Sequence, residues 1–209
     1  MEFRPPRKIK LWFDCNDVRE LTKYVGCKIN RNKNSIKFTQ PVLLQSFEDE
    51  FEFAGSKVKV QAEAGSVLVR NKWESLSEGA KTKYQSSVGK LLCMVRWSRP
   101  EIYNVIHELS RFMTGGTSQV HIKAMRRVME YCLGARAIVL VLEPHQSRDR
   151  NPEFELLILG RLDSDYAKVL ETRKSVSGTS AFLCRAPIIQ KIAMQKIVAL
   201  SVTSGHNCS

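Results

Sequence analysis

Carboxylates, imidazoles and thiols are the side chains that most often carry chemistry, and in this sequence they are dispersed. Asp163 and Asp165 stand two residues apart at the end of an apolar run, a placement that reads as a solvated turn cap. The only acidic residue after them is Glu171, so no later element can bring a further carboxylate to join them. The histidines (His107, His121, His145, His206) are isolated, and His107 and His121 read as surface or packing residues on helices. No two of the six cysteines share a C-x-x-C spacing, and most lie in apolar runs such as Leu91-Leu92-Cys93-Met94. Reduced, buried thiols fit this better than a disulfide framework or a zinc site. Phosphate-loop, dinucleotide, zinc-protease and nucleophile-elbow motifs are all absent.

The cations are more suggestive. Lys and Arg number 33 against 21 Asp and Glu, a net charge of +12 over 209 residues, which points to a polyanion such as nucleic acid. Lys123, Arg126, Arg127, Arg173 and Lys174 are candidates to touch phosphates. The first three also fit the solvated face of a helix whose other side carries Ala124, Val128 and Tyr131. Such binding is expected to be non-specific and steeply salt-dependent, because each neutralised phosphate releases counterions. Trp73 and Trp97 are candidates for stacking on bases, with a core or rim role as the plainer alternative. The longest wholly apolar run, Ala137 to Leu142, is far short of the roughly 18 residues of a membrane helix. The first residues hold no apolar signal segment, so a cytoplasmic or nuclear protein without a membrane partner is expected.

The elements that must position these residues follow from periodicity. Val25, Cys27 and Ile29 alternate, a polar turn follows at Arg31-Asn32-Lys33-Asn34, and Ile36 and Phe38 resume the pattern: a β-hairpin. Thr39 and Pro41 open a short helix with apolar Leu43, Leu44, Phe47 and Phe51. Residues 54–76 read as a long connection. Tyr84, Val88, Leu91, Leu92 and Val95 then mark one face of a helix. Ser98 and Glu101 suggest a capping box with Pro100 in the first turn of a second helix, which buries Ile102, Val105, Ile106, Leu109, Phe112 and Met113. A third helix runs from Ser118 to about Cys132, with Gly134 as its stop. Short loops predict that these three pack as an antiparallel bundle. Strand-like runs follow at Ala137–Leu142, Phe154–Leu162, Val176–Cys184 and Lys196–Val202. The polar stretch 143–153 divides an α+β part, 1–142, from an antiparallel sheet, 143–209.

In this order the segments resemble the C-terminal part of the Pol polyprotein of copia-type retrotransposons. Asp17 to Ile29 resembles the stretch after the polymerase active-site strands. Tyr84 to Leu92, Ser98 to Tyr103 and Leu109 to Met113 resemble the thumb-region helices of the reverse transcriptase, and His121 to Tyr131 the helix that ends them. Gly160 to Ala167, Thr172 to Gly178 and Gln195 to Ser201 resemble the opening of the ribonuclease H domain. The implied fold is therefore a β-hairpin and three-helix bundle followed by a partial ribonuclease H-like sheet.

The resemblance also says what such enzymes need. Polymerisation takes paired aspartates holding two divalent ions, and the sequence contains no Asp-Asp pair. The nuclease takes four carboxylates around two Mg²⁺ ions. Asp163 matches the first of these, while His206 stands at the place of the catalytic glutamate. An imidazole suits zinc or copper better than magnesium. Asp163 is thus expected to be a relic of catalysis that holds a metal weakly if at all, in a truncated, degenerate Pol fragment with no activity and no cofactor of its own. The expected partners are an RNA–DNA hybrid or duplex, or a second copy meeting an uncovered sheet. Two rival readings are a nucleic-acid-binding module and a residual Mg²⁺-dependent nuclease.

Overall fold

Two adjacent left-handed residues, Val25 (φ 46°) and Gly26 (φ 75°), turn the chain between β1 (Lys23–Tyr24) and β2 (Cys27–Arg31). Positive φ at both central positions is the geometry of a two-residue hairpin turn, and only glycine adopts it without strain. Val25 is therefore an exposed turn residue, and not the inward-facing strand position that alternation suggested. The molecule is seen in a computed structural model, which describes residues 21–33, 35–53, 58–63, 66–70, 76–143, 158–169, 171–183 and 186–198. β3 (Ile36–Thr39) pairs antiparallel with β2, Ile29 lying across from Phe38. β4 (Leu140–Leu142), far along the chain, pairs with the free side of β3 to give the order β1-β2-β3-β4.

Between β3 and β4 lie the helices. α1 (Pro41–Glu50) begins on Pro41, whose missing N–H costs nothing in the first turn, and it buries Phe47. In α2 (Glu78–Trp97) Ser77 caps the start, its hydroxyl accepting from the Ala80 N–H at 3.3 Å. Tyr84, Val88, Leu91, Met94 and Val95 form the buried face. A 3₁₀ turn, Pro100–Ile102, leads into α3 (Tyr103–Ser110), and α4 (Gln119–Gly134) closes the set. Ile102, Ile106, Leu109 and Phe112 meet Met125, Val128, Met129 and Cys132 in one core with the α2 face. Val105 and Met113 are only partly buried against it.

Two caps differ from expectation. Ser98 does not form a box with Glu101: its hydroxyl donates to the Gln40 side-chain oxygen (2.7 Å), while Glu101 takes the Arg99 guanidinium. At α4 the partner of Ser118 is an imidazole. The Ser118 N–H donates to Nδ1 of His121 (3.0 Å), filling the role that Glu or Gln usually plays. His121 is buried with its ring 4.0 Å from that of Phe112, so it is a packing residue. Arg99 is only 2% exposed, a burial that no periodicity in the sequence announces. Its guanidinium donates to the carbonyls of Cys132 (3.3 Å) and Ala135 (3.2 Å), satisfying the orphaned end of α4, and it lies over the Tyr131 ring.

The second sheet is antiparallel, β5 (Ile158–Val169), β6 (Lys174–Leu183) and β7 (Ala186–Met194) in that order. The third strand is thus 186–194, not Lys196–Val202, of which residues 196–198 are described and lie outside any strand. Its Ile189 and Ile192 pair with Ala181 and Gly178 on β6. The sheet packs against α3 and β4 through β7, while Ile158, Leu162 and Ile189 remain more than half exposed. The fold is α+β, with four helices and two antiparallel sheets among the described residues. Among the described residues no helix is long and apolar enough to cross a membrane.

Candidate nucleic-acid interface

Asp163 and Asp165 stand in the middle of β5, paired with Gly178 and Val176. β5 continues past them to Val169, so they are not the turn cap that the sequence suggested. Two residues apart on a strand, they point to one face. That face lines a cleft of about 530 Å³ whose other wall is Pro100, Glu101, Tyr103 and Asn104. Each carboxylate is already engaged. Asp163 accepts from the Ser164 N–H (2.9 Å), and Asp165 pairs with Lys168 (2.7 Å). Glu101, across the cleft, is held by Arg99. Among the described residues no three Asp, Glu, His or Cys side chains converge as metal ligands. A magnesium ion wants several free oxygen donors. With no third ligand beside them among the described residues, these residues do not fit that ion. His206 lies outside the described residues.

The basic candidates fall on separate elements. On α4, Lys123 is exposed, but Arg126 and Arg127 are half-buried and employed within the fold. Arg126 lies over the rings of Phe51 and Phe53 (5.4 and 5.3 Å) and donates to the Glu52 carbonyl; Arg127 pairs with Glu63 (3.1 Å). They fasten the connection after α1 to the bundle. Arg173 sits in the turn between β5 and β6 in the left-handed region (φ 57°), exposed, with Lys174 opening β6 half-buried beside it. The same turn is tied down by Glu171, which accepts from the Arg70 N–H at 3.1 Å. Arg70 in turn donates to the carbonyls of Gly115 and Arg111, and its stem would lie only 3.1 Å from a Cβ at Gly116, whose φ of 74° also favours glycine.

A basic surface that sequence reasoning passed over lies on the first sheet. Cys27 and Ile29 turn inward, so Lys28 and Asn30 between them must face out. Lys23 lies across from Lys28, and Lys37 across from Asn30, placing three exposed lysines on one face. None has a carboxylate in ion-pair range among the described residues. The signal was available: the alternation that names an inner face also names an outer one. Of the tryptophans, Trp73 lies outside the described residues. Trp97 is half-buried and meets the Tyr24 ring edge-on at 5.7 Å, a rim position under the hairpin.

The comparisons with known proteins agree on a class: the curated relatives are transposon proteins, one of them a Pol polyprotein, matching at modest identity over most of the chain. This supports a piece derived from a transposon Pol protein. The retrovirus-related Pol polyprotein from transposon TNT 1-94 of Nicotiana tabacum is 25% identical over 201 residues, which is 93% of this chain and 14% of that protein. The putative transposon Ty5-1 protein of Saccharomyces cerevisiae is 23% identical over 191 residues, 88% of this chain and 57% of that protein. The chain therefore spans only a part of each relative. No family model and no solved structure matches it.

Proposed function

We propose that this chain is a Pol-derived segment without catalytic activity of its own that binds nucleic-acid duplexes, an RNA–DNA hybrid among them, without sequence preference. The observation that carries the binding is the face formed by Lys23, Lys28 and Lys37, three exposed cations on one face of a sheet with no internal counter-charge among the described residues. A row of lysines offers point charges to phosphates and no fork to read bases, which favours non-specific contact. Polymerisation would need paired aspartates, and the sequence has no Asp-Asp pair; the β5 aspartates have no third metal ligand converging on them among the described residues.

Fluorescence anisotropy with a labelled RNA–DNA hybrid across a salt series tests both halves. Affinity should fall steeply with salt. Changing Lys23, Lys28 and Lys37 together to Glu should weaken binding and flatten the logarithmic salt slope by roughly 2–3, at about 0.9 for each phosphate no longer neutralised. No binding at low salt, or an unaltered slope in the triple variant, would overturn the binding surface. Cleavage of the same hybrid with Mg²⁺, abolished by Asp163→Asn, would overturn the inactivity.

A further inference from the structure

The fold brings together two cysteines that the sequence keeps far apart. Cys27, on β2, is 2% exposed and faces inward beside Tyr24, its partner across the β1–β2 ladder. The Tyr24 ring rests edge-on against Trp97, one helical turn beyond Cys93 on the same side of α2. The inner face of the hairpin is thereby laid over the Cys93–Trp97 stripe. A second register argument agrees. Thr39 pairs with Lys28, so Gln40 is next in line to lie across from Cys27. The Gln40 side-chain N–H donates to Cys93 Sγ at 3.4 Å, which places Cys93 beneath the Cys27–Gln40 position. The proximity also registers electrostatically: burial first, and then the neighbouring Cys93 thiolate, push the Cys27 thiol up. Both are free thiols, and Cys93 is the more accessible of the two.

We propose that Cys27 and Cys93 are a dithiol pair that closes to a disulfide when the chain meets a low-molecular-weight disulfide such as oxidised glutathione, stapling the hairpin sheet to α2. The Cys93 thiolate attacks one sulfur of the small disulfide, forming a mixed disulfide and releasing one thiol. The Cys27 sulfur, giving up its proton, then attacks the Cys93 sulfur and expels the second. Two protein thiols are oxidised, one small disulfide is reduced to two thiols, and the two protons leave on those thiols. Cys93 begins the exchange because it is reachable, whereas the raised, buried Cys27 thiol resolves it. The staple would tie residues on either side of the α1 helix and the long connection after it, restricting the unfolded chain.

The full chain, reduced and then treated with excess oxidised glutathione under native conditions, is trapped by alkylation, digested and mapped by mass spectrometry. The expected product has lost two hydrogens and yields a cross-linked pair of peptides containing Cys27 and Cys93. Its melting temperature should rise by about 5 °C or more, a shift reversed by a reducing agent. In Cys93→Ser the cross-link and any glutathione adduct at Cys27 should both vanish. In Cys27→Ser the glutathione should stay on Cys93. A stable adduct on Cys93 in the unaltered chain, or Cys93 joined to another cysteine, would overturn the proposal. The map of the unaltered chain is decisive even if a variant fails to fold.

Discussion

Replacing Arg99 with methionine should be among the most damaging single changes in this protein. Methionine keeps much of the length and apolar stem but removes the guanidinium. Two carbonyls at the end of α4, Cys132 at 3.3 Å and Ala135 at 3.2 Å, then lose this donor. The buried Cys132 acceptor left unsatisfied costs about 1–2 kcal/mol, whereas the half-buried Ala135 carbonyl keeps the Ile138 N–H at 3.0 Å and loses about 0.5 kcal/mol. Glu101, its side chain about one-third exposed, loses its cation as well. That loss is discounted because water can reach the carboxylate, leaving about 1 kcal/mol. The cation over Tyr131 adds little more. The sum is about 2–4 kcal/mol, a large share of a typical 5–15 kcal/mol stability. With a urea slope of about 2 kcal/mol per molar, the unfolding midpoint followed by circular dichroism should fall by about 1–2 M. Arg99→Lys should recover less than half, since one ammonium cannot span both carbonyls and Glu101 with a planar fork. A midpoint shift below about 0.5 M for the methionine variant would refute the view that Arg99 holds the end of α4.

Tyr84→Phe removes the hydroxyl that donates to the Leu109 carbonyl at 2.7 Å in the core; that carbonyl keeps the Phe112 N–H at 3.1 Å, so the cost should be about 0.5–1.5 kcal/mol in the same urea titration. Val25→Asn should stabilise by about 1 kcal/mol, because a β-branched residue at φ 46° is strained where Asn before Gly suits the turn; an unchanged midpoint would contradict this. Burial holds the His107 imidazole below its usual range, with Arg111 and Lys168 nearby opposing its protonation and Glu108 favouring it. The unfolded chain therefore takes up the proton first. Stability should be full above about pH 6.5 and fall as the pH drops below it, a slope that His107→Gln should flatten.

What the sequence disclosed depended on whether one periodicity dominated a segment. The 78–97 helix was legible because Tyr84, Val88, Leu91 and Val95 repeat at helical spacing without interruption and are all buried. The hairpin was legible from its alternation and polar turn, although Val25 was misplaced because glycine geometry at the β1–β2 turn outranks alternation. β7 escaped notice because Pro187 sits near its start and Gln190 and Lys191 interrupt its apolar character, features that an edge strand tolerates. Ser98 and Glu101 obeyed a local capping rule that tertiary contacts overrode, with Gln40 and Arg99 as stronger partners. At the candidate site, the basic residues on α4 were rightly placed on a helix, but their duties were not visible. Phe51, Phe53 and Glu63, which occupy Arg126 and Arg127, lie many residues upstream.

The pairing of β4 with β3 has a consequence for how the molecule comes into being. The first three strands are made early, yet β3 keeps an open side until residues 140–142 arrive, with every helix of the bundle in between. During synthesis the nascent hairpin must wait, one ladder of amides and carbonyls unpaired, while the helices assemble on local contacts. The sheet is a clasp fastened last. A chain cut short inside the bundle would emerge with that clasp open, and its exposed β3 would be the first place where neighbouring copies stick.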